Sequence, residues 1–483
     1  MNQLSKILAL FLVKLIILLL VISPNVISAQ RTSTSVNINR NGKTTISIKN
    51  GFGNNFSIEY QGDITLSDDD TDVVAISRDG YMEIKKSAFG NRRRVYIEPD
   101  NSGQLIKKYY VGSSQKDFDS EGKKWLSEIL LEVVRSTTLG AEKRVDRLYK
   151  MGGSYKVLNE VGKMTSNHVK ARYIKLLLEK DLKEKDLNSV LNEVADIDSN
   201  HHRADILKNN TKAFLAYEST TSSYIQATSS IDSDHHKADV LKRSIRDGDI
   251  SDTQMKALFV ITDDIDSDHH KASVLQEVLN KRTLTNNNLK LLITTAKGID
   301  SDHHKATVLR KALETDGISQ SVSNTLLASV ENMSSDHHIA SVFKSMVDDE
   351  MDSESLSNLL RVVEHNMSSD NHQSDVLKKI AYYQSLSGGS LNAYLSTTKD
   401  IDSDHHKAEV FKTLARKNFS NSELVQILEA TTSIDSDYHK TETLLRFASE
   451  VRNEGTIVKD AYTRACKDID SESHFGRALK AIQ

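Results

Sequence analysis

The stretch IDSDHHKADVLKR, from Ile231 to Arg243, decides the fold, because the chain returns to it again and again. Copies begin at Met164, Ile197, Ile231, Ile265, Ile299, Met333, Met367, Ile401, Ile434 and Ile469, and successive starts lie 33 to 35 residues apart. A near-constant period of this size marks stacked two-helix units, since one helical hairpin cannot bury its apolar face alone. Within the copy that starts at Ile231, helix A is expected from about Asp234 to Ile245. Asp247-Gly248 then breaks it, and helix B follows from about Asp252 to Ile261. Ala238, Leu241 and Ile245 share one side of helix A; Met255, Leu258 and Phe259 share one side of helix B.

Comparison among the copies isolates what the repeat keeps. The third motif position is serine in all ten: Ser166, Ser199, Ser233, Ser267, Ser301, Ser335, Ser369, Ser403, Ser436 and Ser471. Serine directly before a helical pattern is expected as the N-cap, its hydroxyl accepting from backbone amides that the first turn leaves orphaned. The next residue is Asp in seven copies, Asn at 167 and 200, and Glu at 472. An acid at the first helical position interacts favourably with the positive end of the helix dipole.

Sixteen of the 17 histidines lie in these helix starts, His365 being the exception. The second of the adjacent pair is the more constant, as His202, His236, His270, His304, His338, His372, His406, His439 and His474, with Val169 in the first copy. The first member gives way to Asn371, Tyr438 and Ser473. The constant histidine sits at the third helical position, where it can support the cap or pack its ring against the neighbouring repeat. One shared metal centre is disfavoured: zinc takes its nitrogens at about 2 Å, whereas stacked helices lie about 10 Å apart. Separate weak Asp-His sites, such as Asp232 or Asp234 with His235, and a row of imidazoles titrating near neutrality stay open as readings.

Ahead of the repeats the periodicity changes to two. VNINR (36–40), TTISIKN (44–50), NNFSIEY (54–60), DVVAIS (72–77), YMEIKK (81–86), RRVYIEP (93–99) and LIKKYYVG (105–112) alternate apolar and polar residues, with turn chemistry at Asn41-Gly42 and Asp79-Gly80. The acidic run Asp68, Asp69, Asp70 and Asp72 lacks the spacing of a calcium loop and is expected to be a solvated turn. Arg92, Arg93 and Arg94 are expected on an exposed strand edge, where charge discourages sheet-to-sheet association. Residues 121 to 136 have helical spacing, and Trp125, the one tryptophan, is expected to anchor packing between head and array. At the start, Lys6, Lys14, the apolar run Leu15–Ile22 and the segment ending at Ala29 have the form of a secretory signal peptide.

The expected fold is therefore α+β: a small antiparallel β-rich N-terminal domain followed by a right-handed α-solenoid, HEAT-like or TPR-like, of about ten two-helix repeats. The expected division is a signal peptide over 1–29, a β-rich head over 30–113, a helical connector and array cap over 114–163, and the solenoid over 164–483.

Composition excludes several functions. With 38% hydrophobic and 27% charged residues the 483-residue chain is a folded protein, neither wholly disordered nor multispanning. Its net charge of -4 gives no basic footprint for nucleic acid. The single cysteine, Cys466, permits no intramolecular disulfide and no thiolate zinc site, and is expected as a buried small residue. HExxH, GxSxG, a phosphate-binding loop and a dinucleotide fingerprint are all missing from the sequence. The recurring Ser, Asp and His fit helix starts better than a catalytic set, because an active site would stand out from its own repeat. No enzyme activity, cofactor or catalytic residue is expected.

With DITLSDDDTDVVAIS, YMEI, IKKYYVG, KKWLSEILLEVVR and the ten repeats on the page, residues 60 to 483 resemble a family of secreted bacterial proteins. These come largely from Bacteroidota and carry ISSDYHKAxVL-like helical repeats. Related repeats occur beyond the membrane part of some zinc metallopeptidases of the β-lactam-sensor type, whose multispanning domain and HExxH this chain lacks. The resemblance implies a periplasmic or secreted setting and a non-enzymatic binding or sensing scaffold for envelope proteins or peptides, with no membrane span left after signal cleavage. The alternative is a metal-responsive or pH-responsive envelope protein that uses the histidine-rich helix starts.

Overall fold

A computed structural model describes residues 33–38, 43–50, 54–88 and 90–483. The signal segment and Asn41-Gly42 lie outside the described residues. The chain divides into two compact units, Met1–Leu177 and Leu178–Gln483, so helix A of the first copy, Asn167–Leu178, belongs almost wholly to the head unit.

Among the described residues of the head, alternation of apolar and polar residues yields nine strands: β1 (Ser33–Ile38), β2 (Thr44–Asn50), β3 (Asn54–Gln61), β4 (Ile64–Leu66), β5 (Val73–Ile76), β6 (Tyr81–Ala88), β7 (Asn91–Pro99), β8 (Leu105–Val111) and β9 (Ser114–Lys116). Seven form one sheet in the order β1-β2-β3-β6-β7-β8-β9, and β4 and β5 form a separate hairpin. The paired strands are antiparallel; Ile58 stands opposite Ile84, and Ile84 opposite Val95. That register puts Phe56, Ile58, Met82, Ile84, Val95, Ile97 and Tyr109 on one buried face, as a side-chain period of two requires.

Helix α1 (Ser120–Ser136) closes this core. Asp119 caps it, accepting from the amides of Glu121 and Gly122, and Trp125, Leu126, Ile129, Leu130 and Val133 complete the apolar cluster. Trp125 packs 5.9 Å from the Tyr109 ring, so it anchors α1 to the head's own sheet. Gly122 is needed where α1 meets the sheet, since a Cβ there would come within 3.3 Å of Tyr109. β7 lies between β6 and β8 and is not an edge, contrary to the expectation for the arginine run. The later β8 supplies the second neighbour. Arg94 bonds Glu83 at 3.1 Å and lies over the Tyr110 ring, while Arg93 faces Glu121 at 3.3 Å.

Helix α2 (Ala141–Val161) is broken by Gly152 and Gly153, the latter at φ 63°, a conformation costly for any residue with a side chain. It corrects the reading of Asp70 as part of a solvated turn. Asp70 has φ 59° and is 5% exposed. It receives Arg144 Nε at 2.6 Å and Arg147 at 2.5 Å, and Arg144 also donates to Glu160 at 2.8 Å and to the Tyr173 hydroxyl at 3.2 Å. The counter-charges come from α2, more than 70 residues along the chain, and allow the carboxylate to leave water. Arg135 adds a bond to Glu160 at 2.7 Å. Burial pushes the Glu160 carboxyl up, but the bonds from Arg135 and Arg144 outweigh it and hold it down at about 2.

After the head comes a long run of paired, repeat-like helices, an α-solenoid architecture. Helix A of the copy at Ile231 spans Asp234–Asp247 and helix B spans Asp252–Asp263. The next four pairs are Asp268–Lys281 with Asn286–Lys297, Asp302–Ala312 with Gln320–Val330, Asp336–Met346 with Ser353–Asn366, and Asp370–Tyr383 with Gly388–Lys399. The A helices before the last bury the same motif positions, as in Ala238, Val240 and Leu241 or Ala306, Val308 and Leu309, all at most 3% exposed. Fully burying one such Val or Leu side chain contributes roughly 1.5–3 kcal/mol. Repetition of that set makes the core continuous from copy to copy.

Candidate functional site

The conserved side chains of the motif come together in a row along the helix-A starts. Ser199, Ser233, Ser267, Ser301, Ser335, Ser369, Ser403, Ser436 and Ser471 stand at the N-cap, and the Ser166 carbonyl likewise accepts from the amide four residues on. Their hydroxyls do less than the sequence suggests. Ser199 and Ser436 accept from the amides of His202 and His439, each at 3.4 Å, whereas Ser233, Ser267, Ser301, Ser335, Ser369, Ser403 and Ser471 make no side-chain cap bond.

Helix-A and helix-B starts differ in backbone. At helix-B starts, Ser251, Ser319 and Ser420 have ψ of 164°, 156° and 157° and their hydroxyls do cap. At helix-A starts, Ser267, Ser301 and Ser335 have ψ of 113°, 111° and 108°. Ser199 and Ser436, at ψ 110° and 116°, share this backbone, and their hydroxyls reach the amide at 3.4 Å.

What holds this backbone is the motif aspartate of the preceding copy. Asp234 accepts the Ser267 amide at 2.8 Å, Asp268 that of Ser301 at 2.7 Å, Asp302 that of Ser335 at 2.7 Å and Asp336 that of Ser369 at 2.6 Å. Asp370, Asp404 and Asp437 repeat the bond to Ser403, Ser436 and Ser471 at 2.8, 2.7 and 2.8 Å. Most of these carboxylates also take the amide one residue earlier, as Asp268 does from Asp300 at 3.0 Å. The acid beside the helix dipole is therefore also the joint between successive copies, built from charge-assisted bonds.

The motif lysine, to which the sequence reading gave no role, makes the second joint. Lys237, Lys271, Lys305, Lys407 and Lys440 are 3–7% exposed. Lys237 reaches the Asp264 carboxylate at 2.6 Å, and Lys407 and Lys440 donate to the carbonyls of Ser433 and Asp468, both at 2.9 Å. These acceptors lie at the end of helix B, whose last carbonyls lack helical partners and favour a cation. The signal was present in the sequence as a lysine that recurs directly before the buried Ala of the motif, as at Lys237, Lys271, Lys305 and Lys407.

The histidines form a ring ladder in two runs. Within a copy the two rings lie 5.1 to 5.3 Å apart, as in His235–His236 and His337–His338. Between copies, the first ring of one meets the second ring of the next: His201–His236 at 5.8 Å, His235–His270 and His269–His304 at 5.6 Å, His303–His338 at 5.5 Å and His337–His372 at 5.7 Å. Interplanar angles of 52–70° make these contacts tilted to edge-to-face. Asn371 interrupts the ladder, and a shorter run resumes through His406, His405, His439, Tyr438 and His474. Desolvation, then the neighbouring imidazoles, lowers the pKa of His236, His270 and His338 from the usual histidine value.

Among the described residues, no group of three or more His, Cys, Asp or Glu side chains is placed to hold a metal ion, and no helix is long and apolar enough to cross a membrane. Cys466 is buried, and desolvation pushes its thiol up to about 12.

No protein-family model matches the chain, and no curated protein matches it. Among solved structures it is similar to a chain of the crystal structure of the Chs5-Bch1 exomer cargo adaptor complex, at 10% identity over 83% of this chain and 79% of that one, with a TM-score of 0.19. It is also similar to a computationally designed self-assembling cyclic homooligomer, at 14% identity over 71% of this chain and 97% of that one, with a TM-score of 0.11. Neither superposition is close enough to carry an argument about fold or function.

Proposed function

We propose that the protein is an exported, non-enzymatic scaffold that binds envelope proteins or peptides along its helical repeats. One observation carries the reading: each repeat separates a constant structural edge from a variable exposed one. The helix-A starts repeat the Asp joint, the Lys joint and the imidazole contact, whereas exposed positions on helix B read Lys256, Asn324, Asn392 and Gln426, and one turn later Val260, Thr294 and Ser396. Val260 and Ile457, 68% and 73% exposed, place apolar side chains on this changing surface. Repeat arrays bind in this manner, the constant positions fixing the stack and the variable ones presenting side chains. The signal-like N-terminus and the resemblance to secreted repeat proteins support the envelope setting.

The test is crosslinking in intact native cells, followed by capture of the full-length protein and mass spectrometry, with Val260→Lys and Ile457→Lys variants alongside. An exported protein that recovers one reproducible envelope partner, lost in a folded helix-B variant, supports the reading. Retention inside the cell, or a partner set indifferent to the helix-B surface, refutes it.

A further inference from the structure

Six of the ten copies carry two adjacent histidines at their helix starts, and the ladder they form has a chemistry of its own. Eleven rings run without a gap from His202 to His372. Each ring between the ends touches one ring of its own copy and one ring of an adjacent copy. Among the described residues, the rings of the row from His235 to His372 make no hydrogen bond to protein through a ring nitrogen, and the one carboxylate close to them is that of Asp239, 3.8 Å from His235 Nε2. The nitrogens are therefore left to solvent and to protons.

We propose that this imidazole row is a proton-responsive element, which loads alternate rings first and, when loaded further, sets like charges against each other across successive repeats and loosens their joints. An imidazolium edge directed at a neutral imidazole face is attractive, as a cation over a ring is. Two adjacent imidazolium rings at the observed separations of 5.1–5.8 Å repel. A row with nearest-neighbour repulsion fills to half occupancy and then resists, so its titration belongs to the row and not to single residues.

The groups facing each ring set the balance. His236 meets His235, His201 and Lys208, which oppose its charge, and Asp239, which favours it. His270 meets His269, His235 and Lys242 against Asp234, and His338 meets His337 and His303 against Asp302. In each case the imidazoles are the larger influence after desolvation. Asp234 and Asp302 also bear the inter-copy joints to Ser267 and Ser335, which couples the proton load to the contact between repeats. The element works whatever partner the array holds, and its test is independent of partner binding.

The experiment is a titration of the full-length protein labelled with 13C at histidine Cε1, followed by NMR from pH 8 to 4.5, with His365 outside the row as reference and single His→Gln variants for assignment. The array signals are expected to separate into two groups with midpoints about one pH unit apart. His303→Gln is expected to raise the midpoints of His304 and His338, its two ring neighbours. In thermal scans the unsubstituted protein is expected to lose more melting temperature between pH 7 and 5 than a His235→Gln/His269→Gln/His303→Gln/His337→Gln variant. A single common midpoint, with His304 and His338 unmoved by His303→Gln, overturns the proposal. The titration of the unsubstituted protein decides by itself if the fourfold variant fails to fold.

Discussion

The carboxylate of Asp302 accepts the backbone amide of Ser335 at 2.7 Å across 33 residues of sequence, and the same bond recurs from Asp234 to Asp437. A residue that caps nothing in its own helix thus fixes the start of the next copy's helix.

Asp302→Ala leaves the amides of Ser334 and Ser335 without their acceptor and is expected to cost about 1–3 kcal/mol. Ser301→Ala is expected to stay within about 0.5 kcal/mol, because its hydroxyl makes no cap bond. Chemical denaturation of both variants checks the order; a larger loss for Ser301→Ala contradicts the assignment of the joint.

Lys237→Met keeps the buried stem but removes the ammonium from Asp264 and from the end of helix B. The expected loss is about 1.5–3 kcal/mol, the range for hydrogen bonds to charged groups. The copies with Ile339 and Gln373 at this position offer the control, since Gln373 turns its amide to the Met367 carbonyl at 2.7 Å. Replacing Ile339 by Met should change stability by less than Lys237→Met does.

In the head, Asp70→Ala takes a counter-charge from Arg147 and from buried Arg144, which keeps Glu160, and is expected to destabilise by about 3 kcal/mol. The pH dependence follows from Glu160, whose folded carboxyl is held at about 2 against an ordinary value of 4.5. Its stabilisation is complete above pH 4.5 and is lost as pH falls toward 2, because the unfolded chain takes up the proton first. Urea unfolding at pH 6, 4 and 3 should show that dependence in the wild type and a flatter one in Glu160→Gln.

Cys466, wholly buried and with its thiol pushed up to about 12, is expected to resist alkylation at pH 8 in the native protein and to react on unfolding. Rapid modification of the folded chain would contradict the placement of that helix.

Much of the architecture was legible because it repeats. The A and B helices of the copy at Ile231 fall where Asp247-Gly248 and the apolar spacing place them, and β2 matches TTISIKN residue for residue. Short β4 and β9 escaped, since three residues carry too little alternation to read. Asp70 was misread because its partners, Arg144 and Arg147, are distant in sequence, and the arginine run because strand order is not a local property. At the helix starts the residue types pointed to the right place and to incomplete roles. Ser and Asp looked like local capping and dipole chemistry and Lys carried no assigned role, whereas Asp and Lys act across turns and copies that only the fold brings together.

The most direct measurement is amide hydrogen exchange at residue resolution for Ser267, Ser301, Ser335, Ser369 and Ser403. An N-cap amide has no partner within its own helix, so protection there reports the aspartate of the preceding copy. The account predicts protection comparable to the helix interiors, lost at Ser335 alone in Asp302→Ala. Exchange at the rate of an open backbone in the native protein would contradict it.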